Sequence, residues 1–455
     1  MLQLDTRVPA LLLRLDRNPF HHGSLGAIRS LGRAGVEVHA FVEAAGVPLA
    51  RSRYLRHGHR FPGDAGSAAD VERALLAAAA RIGRPAVLIP MDDAGAITAA
   101  RLAARLRGPF LLPDQPDGLV ERAADKAALA ALCAELSLPH PPTVVPEGPA
   151  QAAAAARALG LPVIAKWSRP WLLPPGGPLR STTLVTTADQ AGRLYEQTPR
   201  AGSRLLLQRL VPGGPGADWF FHGCFGAGGT CLLGGTGRKD VSWPAGSGLT
   251  AVGRRLPNPE VTRSALLLAE RLAYRGVLDL DFRRDAATGA YHLLDFNPRP
   301  GAQFRLLTDA EGLDVVRALH LDLTGRAVAA SPPSAPRVFV AENYRLLAAL
   351  TRARGGPPRP RFPADPPLDG DGGGTGGAND SGGGRSRGPG REVEWAWFAA
   401  DDPRPFLAMA RGCLRRAREL RGGGGAGGAG GTEHARTDRP PEGRPERRRR
   451  MTRDA

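Results

Sequence analysis

Three residues stand out first by their rarity. Of the 61 lysine and arginine residues in this 455-residue chain, only Lys126, Lys166 and Lys239 are lysine. Arginine serves at every other basic position. A compact ammonium on a thin stem suits places where a planar guanidinium would not fit or would bind too rigidly. Downstream lies a second group, Asp279-Leu280-Asp281-Phe282 followed by Leu293-Leu294-Asp295-Phe296-Asn297-Pro298-Arg299. On two antiparallel strands the alternation of side chains puts Asp279 with Asp281 on one face and Asp295 with Asn297 on one face. Asp281 and Asp295 can then converge. Adjacent carboxylates repel by up to ~1 kcal/mol relative to a neutral pair, and a divalent cation removes that cost. Magnesium takes one or two carboxylates together with phosphate oxygens and water, and Asn297 adds a neutral oxygen. Scattered lysines and a carboxylate hairpin therefore point to a site for a polyphosphate and its magnesium.

The elements that must position these residues follow an alternating pattern. Residues 8–15 read as a buried strand, 23–34 as a helix and 36–42 as a strand, with a further helix at 68–82 and strand at 86–90. Such alternation predicts a doubly wound parallel sheet, an α/β fold class. The loops 18–23 and 92–95 would face one crevice at its carboxyl edge. The adjacent acids Asp92 and Asp93 read as a helix cap or as part of a site. The first loop is not GxGxxG, which argues against a dinucleotide and an oxidoreductase.

A second unit begins near residue 115. Residues 119–136 read as helical with Lys126 near a helix start, 150–159 as a helix, 161–167 as a strand ending at Lys166, and 182–186 as its neighbour. A Pro/Gly-rich lid lies between these two strands. Residues 203–211 read as a strand, 218–225 with 230–238 as a hairpin, 258–274 as a helix, and 276–283 with 290–297 as the carboxylate hairpin. A strand at 337–341 and a helix at 343–353 come next. Residues 355–390, rich in Gly and Pro, cannot bury enough apolar area to order. Residues 392–420 regain a helix-like apolar pattern and are expected to pack back on the body. The domains read as 1–115, 116–330 (lobes 116–200 and 201–330), a C-terminal element at 331–354 with 391–420, and a disordered basic tail at 421–455.

The formal charge of +17 is spread without aromatic interleaving, so no nucleic-acid partner is expected. No run reaches the roughly 18 apolar residues that span a membrane. The early apolar run is too short for a signal peptide. Cys133, Cys224, Cys231 and Cys413 form no CxxC or zinc spacing, and Cys224 with Cys231 flank a turn. Reduced thiols and a cytoplasmic location are expected.

In this order and spacing, the Asp125-Lys126 helix start, the Pro162-Val163-Ile164-Ala165-Lys166 strand, Gln208 to Gly213, Gly237-Arg238-Lys239 and the Asp295-Phe296-Asn297-Pro298-Arg299 strand resemble the ATP-grasp superfamily. More narrowly they are similar to its carboxylate–amine ligase-like members. The resemblance spans about residues 8–324. It implies an N-terminal parallel-sheet domain followed by a two-lobed α+β ATP-grasp fold. It also implies an ADP-forming ligase that activates a carboxylate as an acyl-phosphate and joins it to an amine. Carried over residue by residue, Lys126 and Lys166 would neutralise ATP phosphates, and Gln208, Arg209 and Leu210 would meet adenine. Asp281, Asp295 and Asn297 would hold one or two Mg²⁺, with Asp281 and Asp295 also counted among the ATP-binding residues. Arg299 and Lys239 would be catalytic. Partners would be a small-molecule carboxylate and amine, with a homodimer left open. Three departures stand out: Asp in place of Glu on both metal strands, Gln208-Arg209 where an acid is usual after Gln, and a proline-rich lid in which Arg169 or Arg180 supplies phosphate contacts. His21, His22 and His222 are each a candidate base. The rival readings are an inactive ATP-binding scaffold and an ATP-grasp carboxylase acting on bicarbonate.

Overall fold

The computed structural model describes residues 3–353 and 392–422, apart from 17, 62, 175–176, 244–247 and 335–336. The expected insertion at 355–390 lies outside the described residues, as does the expected basic tail at 421–455 apart from Arg421 and Gly422, which are helical. One compact unit runs through Arg411, and the described residues 412–422 lie outside it.

The first sheet is parallel in the order β3-β2-β1-β4-β5. Its strands are β1 (Ala10–Leu13), β2 (Val38–Phe41), β3 (Leu55–His59), β4 (Ala86–Pro90) and β5 (Phe110–Leu111), joined through α1 (His22–Arg33), α2 (Ala68–Ile82), α3 (Asp93–Arg101) and α4 (Ala103–Leu106). Alternation along β1 explains the double winding. Ala10 and Leu12 pack with Ile28 and Leu31 of α1 on one face. Leu11 and Leu13 pack with Val71 and Leu75 of α2 on the other. β3 was not expected from the sequence. Its Leu-Arg-His-Gly-His pattern carries no apolar alternation because it is an edge strand.

The helical stretch read at 119–136 is two helices, α5 (Leu119–Ala124) and α6 (Lys126–Glu135), the second opening at Lys126 as expected. Asp125 breaks it. Its carboxylate accepts from the amides of Ala127 (3.0 Å) and Ala128 (3.2 Å), an N-cap that favours restarting a helix over continuing one. β6 (Thr143–Val144), α7 (Pro149–Leu159), β7 (Val163–Trp167), β8 (Thr182–Val185), α8 (Ala188–Tyr195), α9 (Thr198–Ala201) and β9 (Leu205–Arg209) follow. Their strands make an antiparallel sheet, β6-β9-β7-β8.

The third sheet has the order β14-β13-β10-β11-β12-β15-β16. Its strands are β10 (Asp218–Phe225), β11 (Cys231–Trp243), β12 (Leu249–Arg255), β13 (Gly276–Arg284), β14 (Tyr291–Asn297), β15 (Arg337–Val340) and β16 (Glu392–Trp395). Its helices are α10 (Pro259–Arg271), α11 (Val315–Leu323) and α12 (Glu342–Ala353), and α13 (Arg404–Gly422) follows β16 in the chain. Two expectations need correction. The helix read as 258–274 starts after the Asn258 cap, which accepts from Val261 N at 3.1 Å, and ends at Arg271. Residues 392–395 are a strand paired parallel to β15 rather than the start of a helix, because the β15 edge offers a ladder that local periodicity cannot foresee. Residues 392–402 do pack on the body. Trp397 is fully buried, and its indole N–H donates to Asn343 at 3.0 Å. No helix among the described residues is long and apolar enough to cross a membrane.

Candidate active site

The carboxylate hairpin is β13 paired with β14, and its register is the one alternation predicts. Asp281 lies opposite Asp295, and Asp279 opposite Asn297. β10 continues each row, with Phe220 opposite Asp281 and His222 opposite Asp279.

All three lysines come to this hairpin. Lys126, at the first position of α6, places its Nζ against Asp295 Oδ1. Lys166, near the end of β7, lies 3.3 Å from the same oxygen and donates to the Leu294 carbonyl at 3.1 Å. Lys239 on β11 reaches Asp281 Oδ1 at 2.6 Å. The three side chains are 11%, 6% and 13% exposed, so these pairs are largely removed from water. Arg299, just past β14, completes the group, with Nη1 2.9 Å from Asp279 Oδ2 and Nε 3.2 Å from Asp93 Oδ1.

Electrostatics follow from these distances. Burial would raise the Asp295 carboxyl, but Lys126 and then Lys166 hold it well below the usual carboxylate range. Burial would lower Lys126 and Lys239, yet their aspartates raise both. Lys166 differs. Burial lowers it, with Lys126 adding to that, and Asp295 only partly compensates. The shared carboxylate lies closer to Lys126, and the second partner of Lys166 is a neutral carbonyl. Burial and Asp281 push Asp279 up, against Arg299 and Lys239.

The acids Asp93, Asp279, Asp281 and Asp295 thus match Lys126, Lys166, Lys239 and Arg299. A polyphosphate entering beside the ammoniums would take over their neutralisation and release the carboxylates. Asn297 turns its amide N–H to Asp279, at 3.2 Å from the backbone oxygen and 3.3 Å from Oδ2, leaving its amide oxygen as the remaining acceptor. Among the described residues no three His, Cys, Asp or Glu side chains form a metal cage. Magnesium held by one or two carboxylates and substrate phosphates needs none, so the donor set Asp281, Asp295 and Asn297 fits it.

The other expected residues divide. Gln208 is buried, and its side chain is spent on Thr143 Oγ1 (3.0 Å) and His140 Nε2 (3.3 Å). The Arg209 amide donates to Pro142 O at 2.9 Å, and its guanidinium lies 3.8 Å from Asp285, away from the lysines' carboxylates. Leu210 follows at the end of β9. A nucleobase here would meet backbone rather than the Gln208 side chain. Gln208 sits two residues along β9 from Leu206, the partner of Lys166, so this hinge and the lysines share one sheet. Arg169 is held by Asp125 (2.8 Å) and Glu121 (3.2 Å), and Arg180 is exposed. Asp92 is the cap of α3, accepting from Gly95 N at 2.6 Å and from Leu15 N and Asp16 N at 2.6 Å each. Its neighbour Asp93 serves the site. His21 caps α1, with Nδ1 3.1 Å from Ser24 N. His22 packs among the rings of Phe339, Tyr344 and Trp397. His222 lies under Asp279 at 3.4 Å. The cysteines are all free thiols, and Cys231 pairs with Phe225 rather than with Cys224.

Sequence reasoning missed Asp93 and Asp279 as partners of Arg299, and His140 between the hinge and the lysines. Asp279 had a signal, since it shares a strand face with Asp281. Asp93 had a weak one, in a loop expected to face the crevice, though nothing local named Arg299 as its partner; His140 had none, because it arrives through tertiary contact.

No protein-family model matches the chain, and no curated protein matches it in sequence. Solved structures do resemble it. An N5-carboxyaminoimidazole synthetase from Staphylococcus aureus superposes with TM-score 0.56 at 12% identity, covering 78% of this chain and 88% of that one. The biotin carboxylase domain of Hydrogenobacter thermophilus 2-oxoglutarate carboxylase, bound to MgADP and bicarbonate, gives TM-score 0.54 at 17% identity over 71% of each chain. An N5-carboxyaminoimidazole ribonucleotide synthetase from Thermus thermophilus gives 0.51 at 17% identity, covering 72% and 81%. The fold is that of the ATP-grasp proteins, an N-terminal parallel-sheet domain followed by the ATP-grasp lobes.

Proposed function

We propose that the protein is an ATP-dependent, ADP-forming ligase that joins a small-molecule carboxylate to an amine. The observation that carries this reading is the convergence of the three lysines on the paired carboxylates Asp281 and Asp295. Lys126 and Lys166 neutralise the phosphates of ATP, and the backbone at Arg209 and Leu210 receives adenine. Asp281, Asp295 and Asn297 hold Mg²⁺, which supplies charge neutralisation at the transferring phosphoryl group. A carboxylate oxygen of the substrate attacks the γ-phosphorus, the bond to ADP breaks, and an acyl-phosphate forms. The amine then attacks the acyl carbon, the C–O bond to phosphate breaks, and the amine loses a proton. Arg299 and Lys239 steady the oxygens that gain charge in both steps. Positioning and charge are what such a reaction needs, and no side-chain nucleophile is required. Four unbridged cysteines support a reducing, cytoplasmic setting. A neighbouring fold that crystallised as a dimer supports a homodimer.

ADP release should be measured across carboxylate and amine pairs, with bicarbonate among the acids because a neighbouring structure holds it. Carboxylate-dependent, Mg²⁺-dependent ADP release is expected. MgATP binding without release for any acid would overturn the ligase reading in favour of a scaffold. Release with bicarbonate alone would favour a carboxylase.

A further inference from the structure

The row of the site behind Arg299 is occupied by a residue that the ligase reading does not use. His222 is 0% exposed, and neither ring nitrogen has a hydrogen-bond partner. Its Nδ1 faces Asp279 Oδ1 at 3.4 Å, and that oxygen is likewise unpartnered. A buried imidazole with both nitrogens unbonded is costly where an apolar side chain would fill the same space. Its neighbours on β10, Phe220 and Phe221, show that apolar residues are accepted on this strand. The other carboxylate oxygen, Asp279 Oδ2, takes Arg299 Nη1 at 2.9 Å and Asn297 Nδ2 at 3.3 Å. The backbone just after Arg299 rests directly on the pair. A Cβ at Gly301 would lie 1.8 Å from His222 Cε1 and 2.8 Å from Asp279 Cγ, so glycine is required there for the close approach. Asp93 holds the far side of the guanidinium at 3.2 Å.

We propose that His222 and Asp279 form a positioning pair that sets the orientation of Arg299 and Asn297, and that Asp279, unlike Asp281, does not hold the metal. The proposal rests on the ligase reading for its kinetic consequences only. The imidazole supports Asp279 from below, and Asp279 fixes the guanidinium and the amide together. One small displacement would therefore disturb both the residue that steadies the reacting oxygens and a metal ligand. Such contacts are commonly long without substrate and shorten when it binds.

The test compares His222→Asn, which keeps an N–H near the place of Nδ1, with His222→Leu, which keeps bulk without a donor, and adds Asp279→Asn. Melting temperature, the MgATP dissociation constant, kcat, and the Mg²⁺ concentration for half-maximal ADP release are measured, and crystal structures of the three variants are solved. His222→Leu should lose at least tenfold in kcat with the MgATP constant unchanged within twofold, and His222→Asn should recover most of that loss. Asp279→Asn should lose kcat and raise the Mg²⁺ requirement less than Asp281→Asn does, because it disturbs a metal ligand without removing one. Full activity in the Leu variant, an equal loss in Leu and Asn, a loss that tracks melting temperature, or a Mg²⁺ requirement in Asp279→Asn raised as far as in Asp281→Asn would each overturn the proposal. The crystals decide independently of any reaction. Arg299 should leave its native position in the Leu variant, or in Asp279→Asn if the Leu variant does not fold, and an unmoved guanidinium refutes the pair. Absence of carboxylate-dependent ADP release from the wild type would instead sink the ligase reading.

Discussion

Asp295→Asn removes the one charge that faces two of the three lysines. Lys126 lies against this carboxylate and Lys166 is 3.3 Å away. Stripping one partner from a buried ion pair costs about 3–5 kcal/mol. Three features place the loss near the lower bound: Asp295 is 25% exposed, the amide oxygen can still accept from one ammonium, and the Leu294 carbonyl still holds Lys166 at 3.1 Å. A loss of about 3 kcal/mol in a chain larger than 250 residues lowers the melting temperature by about 6 °C, at roughly 2 °C per kcal/mol. The deficit should close on adding ATP in the presence of EDTA, because phosphate oxygens replace the missing carboxylate. Metal-free ATP should bind at least as well as to the wild type, since nothing competes for the ammoniums. Mg²⁺-dependent ADP release should fall to background. Scanning calorimetry with and without nucleotide, together with a coupled ADP assay, measures all three. A variant that melts with the wild type, or gains nothing from ATP, would refute the claim that Asp295 stands in for phosphate. Wild-type turnover would refute the metal assignment.

Mg²⁺ alone should leave the melting temperature within about 1 °C, because Asp281 and Asp295 are already matched to ammoniums, while MgATP should raise it; equal stabilisation by the metal alone would count against exchange of partners. Lys166→Arg and Lys166→Met should each weaken MgATP binding about tenfold by calorimetric titration, the first through the bulk of a planar guanidinium in a nearly closed site and the second through lost charge. An arginine variant equal to the wild type defeats the geometric argument. Acid should destabilise the fold between pH 6.5 and 5. Burial holds His22, His59 and His140 at about 4 and His222 at about 3, so below the unfolded value of about 6.5 the unfolded chain takes up protons that the folded chain refuses, at about 1.4 kcal/mol per pH unit for each histidine. Asp92, pushed up to about 6 by burial and Asp16, and Asp279, pushed up to about 7 by burial and Asp281, work the other way down to about pH 3.9, and two such carboxyls do not offset four histidines. A flat melting temperature over that window would refute the account.

The sequence was most legible where strand alternation decides chemistry. The Asp281–Asp295 pairing follows from the period of a β-strand and the spacing of the turn, and the structure has that register. The scarcity of lysine marked three residues that tertiary folding brings to one hairpin. What stayed hidden has physical causes. β3 and β16 lie at sheet edges, where Arg56, His57, Glu392 and Glu394 can stand without apolar alternation. The start at Asp125-Lys126 was legible inside an otherwise continuous helical pattern, and the capping bonds of Asp125 are what make it a break. Asp93 meets Arg299 across 206 positions of chain, a distance no local pattern spans. His222 sits within a phenylalanine-rich strand, where its neighbours advertise core.

The lysines also set what can be done to this protein chemically. Every ε-amine in the sequence lies in one partly closed cluster, while the outer surface carries its positive charge as guanidinium. Reagents that acylate or reductively alkylate amines, which decorate most proteins at random, would here modify the site itself. Nucleotide should protect it. A single-turnover label, a covalent inhibitor or a fluorescent reporter of occupancy could therefore be attached without engineering, and lysine acetylation by a cellular enzyme would act directly on the Asp281–Asp295 hairpin.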